Sequence, residues 1–386
     1  MRRDEMLIKL IRKAKVYAPE NIGEMDILIA GGKIAGVERD LSQWKAIEGV
    51  EVLDGTGCIA IPGLIDGHVH VLGGGGEGGF TSRTRELEAS DIISSGVTTL
   101  VGCLGTDSAG RSMENLIAKV KELKESGLSA YAYTGSYRVP VKTLSGSIER
   151  DMVFIEETIG VGEVAVSDHR SSQPTMQELA RIAADAHVAG MLSGKAGIVN
   201  FHVGDGKNGM GILNEILSET DLPIGQLYPT HTNRSEKVFM QAVEYALKGG
   251  TVDMTASTTE HFIRGGEVPC AKGLARMLDA GVPVEKITFT SDGGGSLPMF
   301  DEKGAYEGMS SAKVSSLLEA VLAAVREEGV PFEQAVRVAT SNPARILKLK
   351  GKGEIKKGFD ADMLMLDQKD FSLERVIING KVLFKR

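Results

Sequence analysis

Two hydrophobic patterns alternate through the middle of the chain. Short apolar, β-rich runs read IPGLIDGHVH, GVTTLVGCLG, LSAYAYTGS, VGEVAVSD, GIVNFHVGD, IGQLYPTHT, TVDMTAST and KITFTSDGG, and they predict eight strands. Between them lie amphipathic stretches of helical length: RELEASDIISSG, SMENLIAKVKELKESG, ERDMVFIEETIG, MQELARIAADAHVAGM, GILNEILSE, EKVFMQAVEYALKGG and AKGLARMLDAG. A further one, SSLLEAVLAAVREEG, follows the eighth strand. Repeated strand-then-helix units predict a parallel sheet, because a parallel crossover needs a helix-length connection. Eight units over roughly 280 residues fit an α/β fold of the (β/α)8 TIM-barrel type. The alternative architecture, a doubly wound open sheet, lacks its nucleotide signature: no GxGxxG follows the first strand, and glycines 73–76 precede no Lys-Ser/Thr pair.

The two ends have a different pattern. DILIAGGKIAGVERD predicts a hairpin turning at Gly31-Gly32, and RVIINGKVLFKR one turning at Asn379-Gly380. The likeness of GGKIAGV and NGKVLF suggests that both ends join one small β-sandwich-like domain. The expected division is 1–60 plus 347–386 for that domain and 61–346 for the barrel.

Composition narrows the function classes. The 386 residues are 42% hydrophobic and 25% charged, an ordinary globular balance that excludes disorder. A net charge of −8 removes the basic footprint expected for nucleic acid or an anionic membrane. No apolar run approaches the ~18 residues of a membrane span, and the N-terminus lacks a signal-peptide apolar region, so the expected location is the cytoplasm. Cys58, Cys103 and Cys270 form no CxxC. They are expected to be buried apolar thiols rather than disulfides or a thiolate zinc site.

Reacting groups of such barrels come from the C-terminal ends of strands. Strand one ends His68-Val69-His70, and residues two apart on a strand share a face. Strand four carries Glu163, with Asp168-His169-Arg170 just beyond; strands five, six and eight end with His202, His231 and Asp292. Taken singly, each has a bland reading: HxH as a core or surface pair, Asp292 as a turn residue, Glu163 as an arginine's partner. His187 and His261 lie outside the pattern and read as structural. The conjunction places four of the seven histidines at strand ends with two carboxylates, a donor set suited to zinc-like divalent ions.

This ordered set resembles the metal-dependent amidohydrolase superfamily, whose entry and exit phrases match PGLIDGHVH and NPARILKLKGKGEIKKGFDADMLMLD. Within it, HVHVLGGGGEGGFTSRT, GCLGTDS, TGSYRVP, VSDHRSSQP, FHVGDGK, PTHTNR and TSDGGGSLP resemble the isoaspartyl dipeptidase family over nearly the whole chain. The resemblance implies two divalent metal ions, zinc foremost. His68 and His70 would hold the more buried ion with Asp292, and His202 and His231 the second. Glu77 would meet the substrate α-ammonium, helped by Gly75 and Thr106. Arg170 and Arg234 would clamp substrate carboxylate, with Ser296 assisting. Metal-activated hydroxide would hydrolyse the β-linked amide of a small isoaspartyl peptide and release aspartate. Tyr137 would polarise the carbonyl and Asp292 would shuttle the proton. A homo-oligomer is also implied.

One position departs from the family pattern. Its strand-four lysine, which becomes a bridging carbamate, is replaced here by Glu163. Charge is kept, but the side chain is about three bonds shorter. The expectation is a strand that moves inward, eased by Gly162, so that Glu163 still bridges the two ions; otherwise the second ion is weakly held. The alternatives are a cyclic-amide hydrolase of the dihydroorotase or hydantoinase type, and a non-catalytic scaffold on the same fold.

Overall fold

A computed structural model of the chain describes residues 8–301 and 306–386. All eight expected barrel strands are present. Six form one parallel sheet in the order Leu227–Thr230, Ile198–Val203, Thr158–Val166, Ser129–Thr134, Val97–Gly102, Leu64–Val69. Val252–Thr255 and Ile287–Thr290 pair with each other. The ring closes on both sides of that pair. Thr232 N donates to Asp253 O at 3.1 Å, and His70 N donates to Gly293 O at 2.8 Å. Helices surround the strands, and the apolar shell between the two includes Leu100, Leu116, Val164, Leu179, Phe201 and Phe289. Inside the ring, Ile65, Val101, Tyr133, Ile159 and Tyr228 meet Leu347 and Leu349.

Two irregularities in this sheet position the chemistry. In strand one, Asp66 pairs with Leu100 but Val69 with Gly102, so one extra residue lies between them. In strand four, Val161 pairs with Val199 but Val164 with Phe201. Such bulges turn a side chain from one face to the other. Ile159 therefore points inward while Val161 and Val164 both join the outer shell, leaving Glu163 to face the interior. Gly162 makes the second bulge possible, since a Cβ there would sit 2.9 Å from Asn200 Cβ.

Both expected terminal hairpins form, turning at Gly31-Gly32 and at Asn379-Gly380 with positive φ at all four residues. They belong to one eight-stranded sheet in the order Lys381–Lys385, Leu373–Ile378, Met363–Asp367, Cys58–Pro62, Ile8–Tyr17, Asn21–Ala30, Lys33–Glu38, with Val50–Asp54 also pairing to Ile8–Tyr17. One face carries its own core around Ile11, Ile27, Met363 and Ile377. The other contributes Ile59, Ile61, Leu364 and Ile378 to the barrel shell.

Three features differ from the pattern-based expectation. The helix expected over ERDMVFIEETIG ends at Phe154, and Thr158 already begins strand four; burial of Thr158 and Ile159 in the sheet outweighs the local periodicity. A short helix, Glu260–Arg264, follows strand seven. A hairpin of Ser296–Phe300 and Tyr306–Ser311 follows strand eight, and its strands, SLPMF and YEGMSS, carry too little apolar–polar alternation to announce themselves.

Candidate metal centre and substrate cavity

At the C-terminal mouth of the barrel the expected donors converge. His70 Nε2 lies 3.1 Å from both Glu163 Oε1 and Asp292 Oδ1. His68 Nε2 is 3.5 Å from Glu163 Oε2 and 3.6 Å from Asp292 Oδ1. His202 Nδ1 and His231 Nε2 approach Glu163 Oε2 at 3.0 and 3.4 Å. The Glu163 carboxylate thus sits amid four imidazoles, completely buried.

Each of three imidazoles has its other nitrogen taken by an orienting group. Asn200 Oδ1 accepts from His68 Nδ1 at 2.9 Å. Thr255 Oγ1 lies 2.6 Å from His231 Nδ1, and Asp168 Oδ2 lies 3.0 Å from His202 Nε2. The free nitrogens then point at the carboxylates, the usual arrangement of imidazoles that bind a metal. Backbone strain accompanies the arrangement: His231 and Asp292 have φ of 60° and 56°, left-handed values costly for these residues unless the surroundings impose them.

A divalent cation fits this set. Glu163 Oε1 and Asp292 Oδ1 are buried and accept no hydrogen bond among the described residues, an arrangement that costs about 1–3 kcal/mol or more per group unless something positive binds there. Burial opposes ionisation of Glu163 and Asp292, but the surrounding imidazoles outweigh it and hold both carboxyls below the usual range. Burial, with His202 and Arg234 nearby, pushes His231 down to about 3, so its nitrogen keeps a lone pair for a ligand bond. Among the described residues, three overlapping groups have ligand geometry: His68, His70, Cys103 and Glu163; His68, His231 and Asp292; and Glu163, His202 and His231.

Above the cluster lies a cavity that opens to solvent at the barrel mouth. Its wall includes every residue the resemblance assigned to substrate: Gly75, Glu77, Thr106, Tyr137, Arg170, Arg234 and Ser296, with His70, His202, His231 and Asp292 at its floor. His68 and Glu163 are fully buried beneath it. The glycine-rich loop owes its path to missing side chains. At Gly73 and Gly75, with φ of 75° and 72°, a Cβ would lie 2.5 Å from Thr84 O and Ser82 O respectively. Arg111 holds the loop from below by donating to the carbonyls of Leu72, Gly74 and Thr84 at 2.9, 3.0 and 3.2 Å.

Glu77 Oε1 accepts from Thr106 Oγ1 at 2.8 Å and lies 3.3 Å from Arg170 Nη1. Tyr137 Oη is 2.8 Å from His202 Nδ1; burial first, then Glu163, drives its pKa far up, so it stays a neutral hydroxyl able to donate. The two arginines differ. Arg170 commits its fork to Asp168 through contacts of 3.0 and 2.7 Å, whereas Arg234 pairs with no carboxylate among the described residues. Of the two, Arg234 is the free cation facing the cavity.

Several participants escaped the strand-end pattern. Asp168 stood in the quoted VSDHRSSQP phrase without a role. Asn200 shares a strand face with His202, two residues on, and that spacing was a usable signal. Thr255 and Arg111 had none, since their partners are distant in the chain.

Comparison with known proteins agrees with this geometry. A sequence model described as the amidohydrolase family matches residues 59–383. The crystal structure of a β-aspartyl dipeptidase from Fervidobacterium islandicum AW-1, in complex with β-Asp-Leu dipeptide, is 47% identical, with all of this chain and 97% of that one covered at a TM-score of 0.92. A second structure of β-aspartyl dipeptidase from that organism is 46% identical, covering 98% and 97%, with a TM-score of 0.89. Among curated sequences, an adenine deaminase of Thermosipho africanus is 26% identical over 98% of this chain, which spans 58% of that relative's length. Among the described residues no helix is long and apolar enough to cross a membrane.

Proposed function

The chain belongs to the amidohydrolase family, and from that premise we propose that it is a dipeptidase hydrolysing the β-linked amide of isoaspartyl dipeptides with the help of zinc ions that Glu163 and the surrounding imidazoles would hold. One observation carries the reading: a carboxylate, Glu77, and an unpaired guanidinium, Arg234, line the same small cavity above the imidazole–carboxylate cluster. A β-linked aspartyl residue presents a free α-ammonium and a free α-carboxylate beside the reacting arm. An α-linked dipeptide does not offer that pair together. The relative at 47% identity was solved with such a β-linked dipeptide, which supports the same substrate class here.

His68, His70, Asp292, His202, His231 and Glu163 would hold the ions, which when bound acidify water and polarise a carbonyl. Asp292 takes the proton of the attacking water and passes it to the leaving amine, which cannot depart as an anion. Tyr137 donates its hydroxyl proton to the carbonyl oxygen as charge develops there. Glu77, steadied by Thr106, receives the ammonium. Arg234 takes the carboxylate through its bidentate fork, while Arg170 keeps Asp168 and Glu77 in place and Ser296 assists. A second lobe shares Glu77, Arg170, Arg234 and Ser296 and continues to Phe262, Leu297, Pro298 and Met309; it would receive the residue released.

The reading is tested with β-aspartyl-leucine, α-aspartyl-leucine and dihydroorotate on zinc-loaded protein. The β-linked peptide should exceed the others in kcat/KM by at least about 10²-fold, since a wrong isomer leaves Glu77 or Arg234 without its partner while the reacting amide is held out of place. Equal turnover of the two linkages would refute it, and preferential turnover of dihydroorotate would select the cyclic-amide alternative.

Glu77→Gln tests the ammonium reader. Loss of one charge-assisted hydrogen bond, worth ~1.5–3 kcal/mol, predicts a fall in kcat/KM of roughly 10- to 150-fold. Bound metal, measured by elemental analysis, should stay unchanged. Unaltered kinetics would remove the glycine-rich loop from the site.

A further inference from the structure

We propose that the Cys103 thiolate is a ligand of the more buried cation, alongside His68, His70 and Glu163; this rests on the metal centre proposed above. Sequence pattern alone placed Cys103 with the inert thiols. The structure separates it from them. It lies one residue beyond strand two and is 1% exposed, with Sγ 3.6 Å from His68 Nε2; its 3.8 Å approach to His70 is to Nδ1, whereas Nε2 of that ring faces the carboxylates. His68 Nε2 is the nitrogen left for a cation once Asn200 has taken Nδ1.

The spacing matches coordination. Bonds of ~2.0–2.1 Å to nitrogen and ~2.3 Å to sulfur, at tetrahedral angles, put the two ligand atoms about 3.6 Å apart. Donor atoms of Cys103, His68, His70 and Glu163 all lie within 4.8 Å of one another. A separate observation marks the same space as a cation's: Glu163 Oε1, fully buried, has no hydrogen-bond partner among the described residues. The end of strand two is packed directly against the cluster, for a Cβ on Gly105 would lie 3.0 Å from His70 Cε1 and 3.5 Å from Glu163 Oε1.

The rival role for this thiol is a neutral donor to Val69 O, also 3.6 Å away. That carbonyl also accepts from the backbone N–H of Cys103 at 3.0 Å, and S–H is a weak donor, so the thiol adds little by donating to it. On ligation the thiol proton leaves to solvent as the sulfur–cation bond forms. A soft thiolate in the set favours zinc, cobalt or cadmium over magnesium or manganese.

X-ray absorption at the zinc edge of the loaded wild-type protein tests this without a variant. One sulfur scatterer per chain at ~2.3 Å is expected, and nitrogen and oxygen scatterers alone would overturn the assignment. The cobalt-substituted protein supplies a second readout. A thiolate-to-cobalt charge-transfer band in the near ultraviolet should appear, vanish in Cys103→Ser and Cys103→Ala, and persist in Cys58→Ala. Cobalt uptake without the band, or a band surviving in Cys103→Ser, would leave Cys103 a neutral thiol while sparing the metal centre. Failure to take up zinc or cobalt at all would overturn the centre and this ligand together.

Discussion

In the Asp292→Asn variant, kcat for β-aspartyl-leucine is expected to fall about 10³- to 10⁴-fold. The side chain keeps its size, and asparagine tolerates the left-handed backbone at this position, so the fold should survive. What disappears is the anionic oxygen. Asp292 Oδ1 lies 3.1 Å from His70 Nε2 and accepts no hydrogen bond among the described residues. The neighbouring imidazoles hold the carboxyl below its ordinary pKa, so Asp292 is ionised at neutral pH and ready to accept a proton from water. An amide accepts no proton there, and general acid–base catalysis contributes about 10²–10⁴; the loss of a charged ligand adds to it. Steady-state kinetics with metal content measured on the same sample separates the two parts. A variant that retains both ions and turns over within tenfold of wild type would strip Asp292 of its role as proton carrier.

Glu163→Gln is expected to lower bound metal from two ions per chain to one or fewer, and kcat/KM by at least about 10²-fold. The carboxylate lies within 3.5 Å of nitrogens from all four cluster histidines. Glutamine preserves its volume but removes the charge that would balance two cations, and its amide NH2, a donor only, would occupy the imidazole lone pairs that a cation needs. The variant also tests whether glutamate replaces a carbamate in function as well as in charge. Elemental analysis after extensive dialysis gives the answer. Two ions retained with near-native turnover would mean that Glu163 bridges nothing.

The convergence of these side chains was legible because strand ends in a (β/α)8 barrel meet at one mouth. A histidine or carboxylate at the same end of strands one, four, five, six and eight must therefore share a neighbourhood, however far apart in the chain. The same periodicity that revealed the strands predicted the barrel. Turn chemistry did the same for the two terminal hairpins, where Gly31-Gly32 and Asn379-Gly380 take positive φ. The hairpin after strand eight was missed, since it is a surface ribbon with no buried face to impose alternation.

Sequence by itself determined the alternating architecture, the set of histidines and carboxylates at the strand ends, and a glutamate at position 163. These depend on local period and residue type. Tertiary structure alone decided how they act: the bulges that turn His68 and Glu163 inward, and which imidazole nitrogen Asn200, Thr255 and Asp168 leave free. It also decided that Asp168 occupies Arg170 while Arg234 pairs with no carboxylate among the described residues, and that Cys103 stands beside the histidines. Each depends on distances of a few ångströms between segments remote in the chain, and such distances are set by packing around the closed ring rather than by any local pattern.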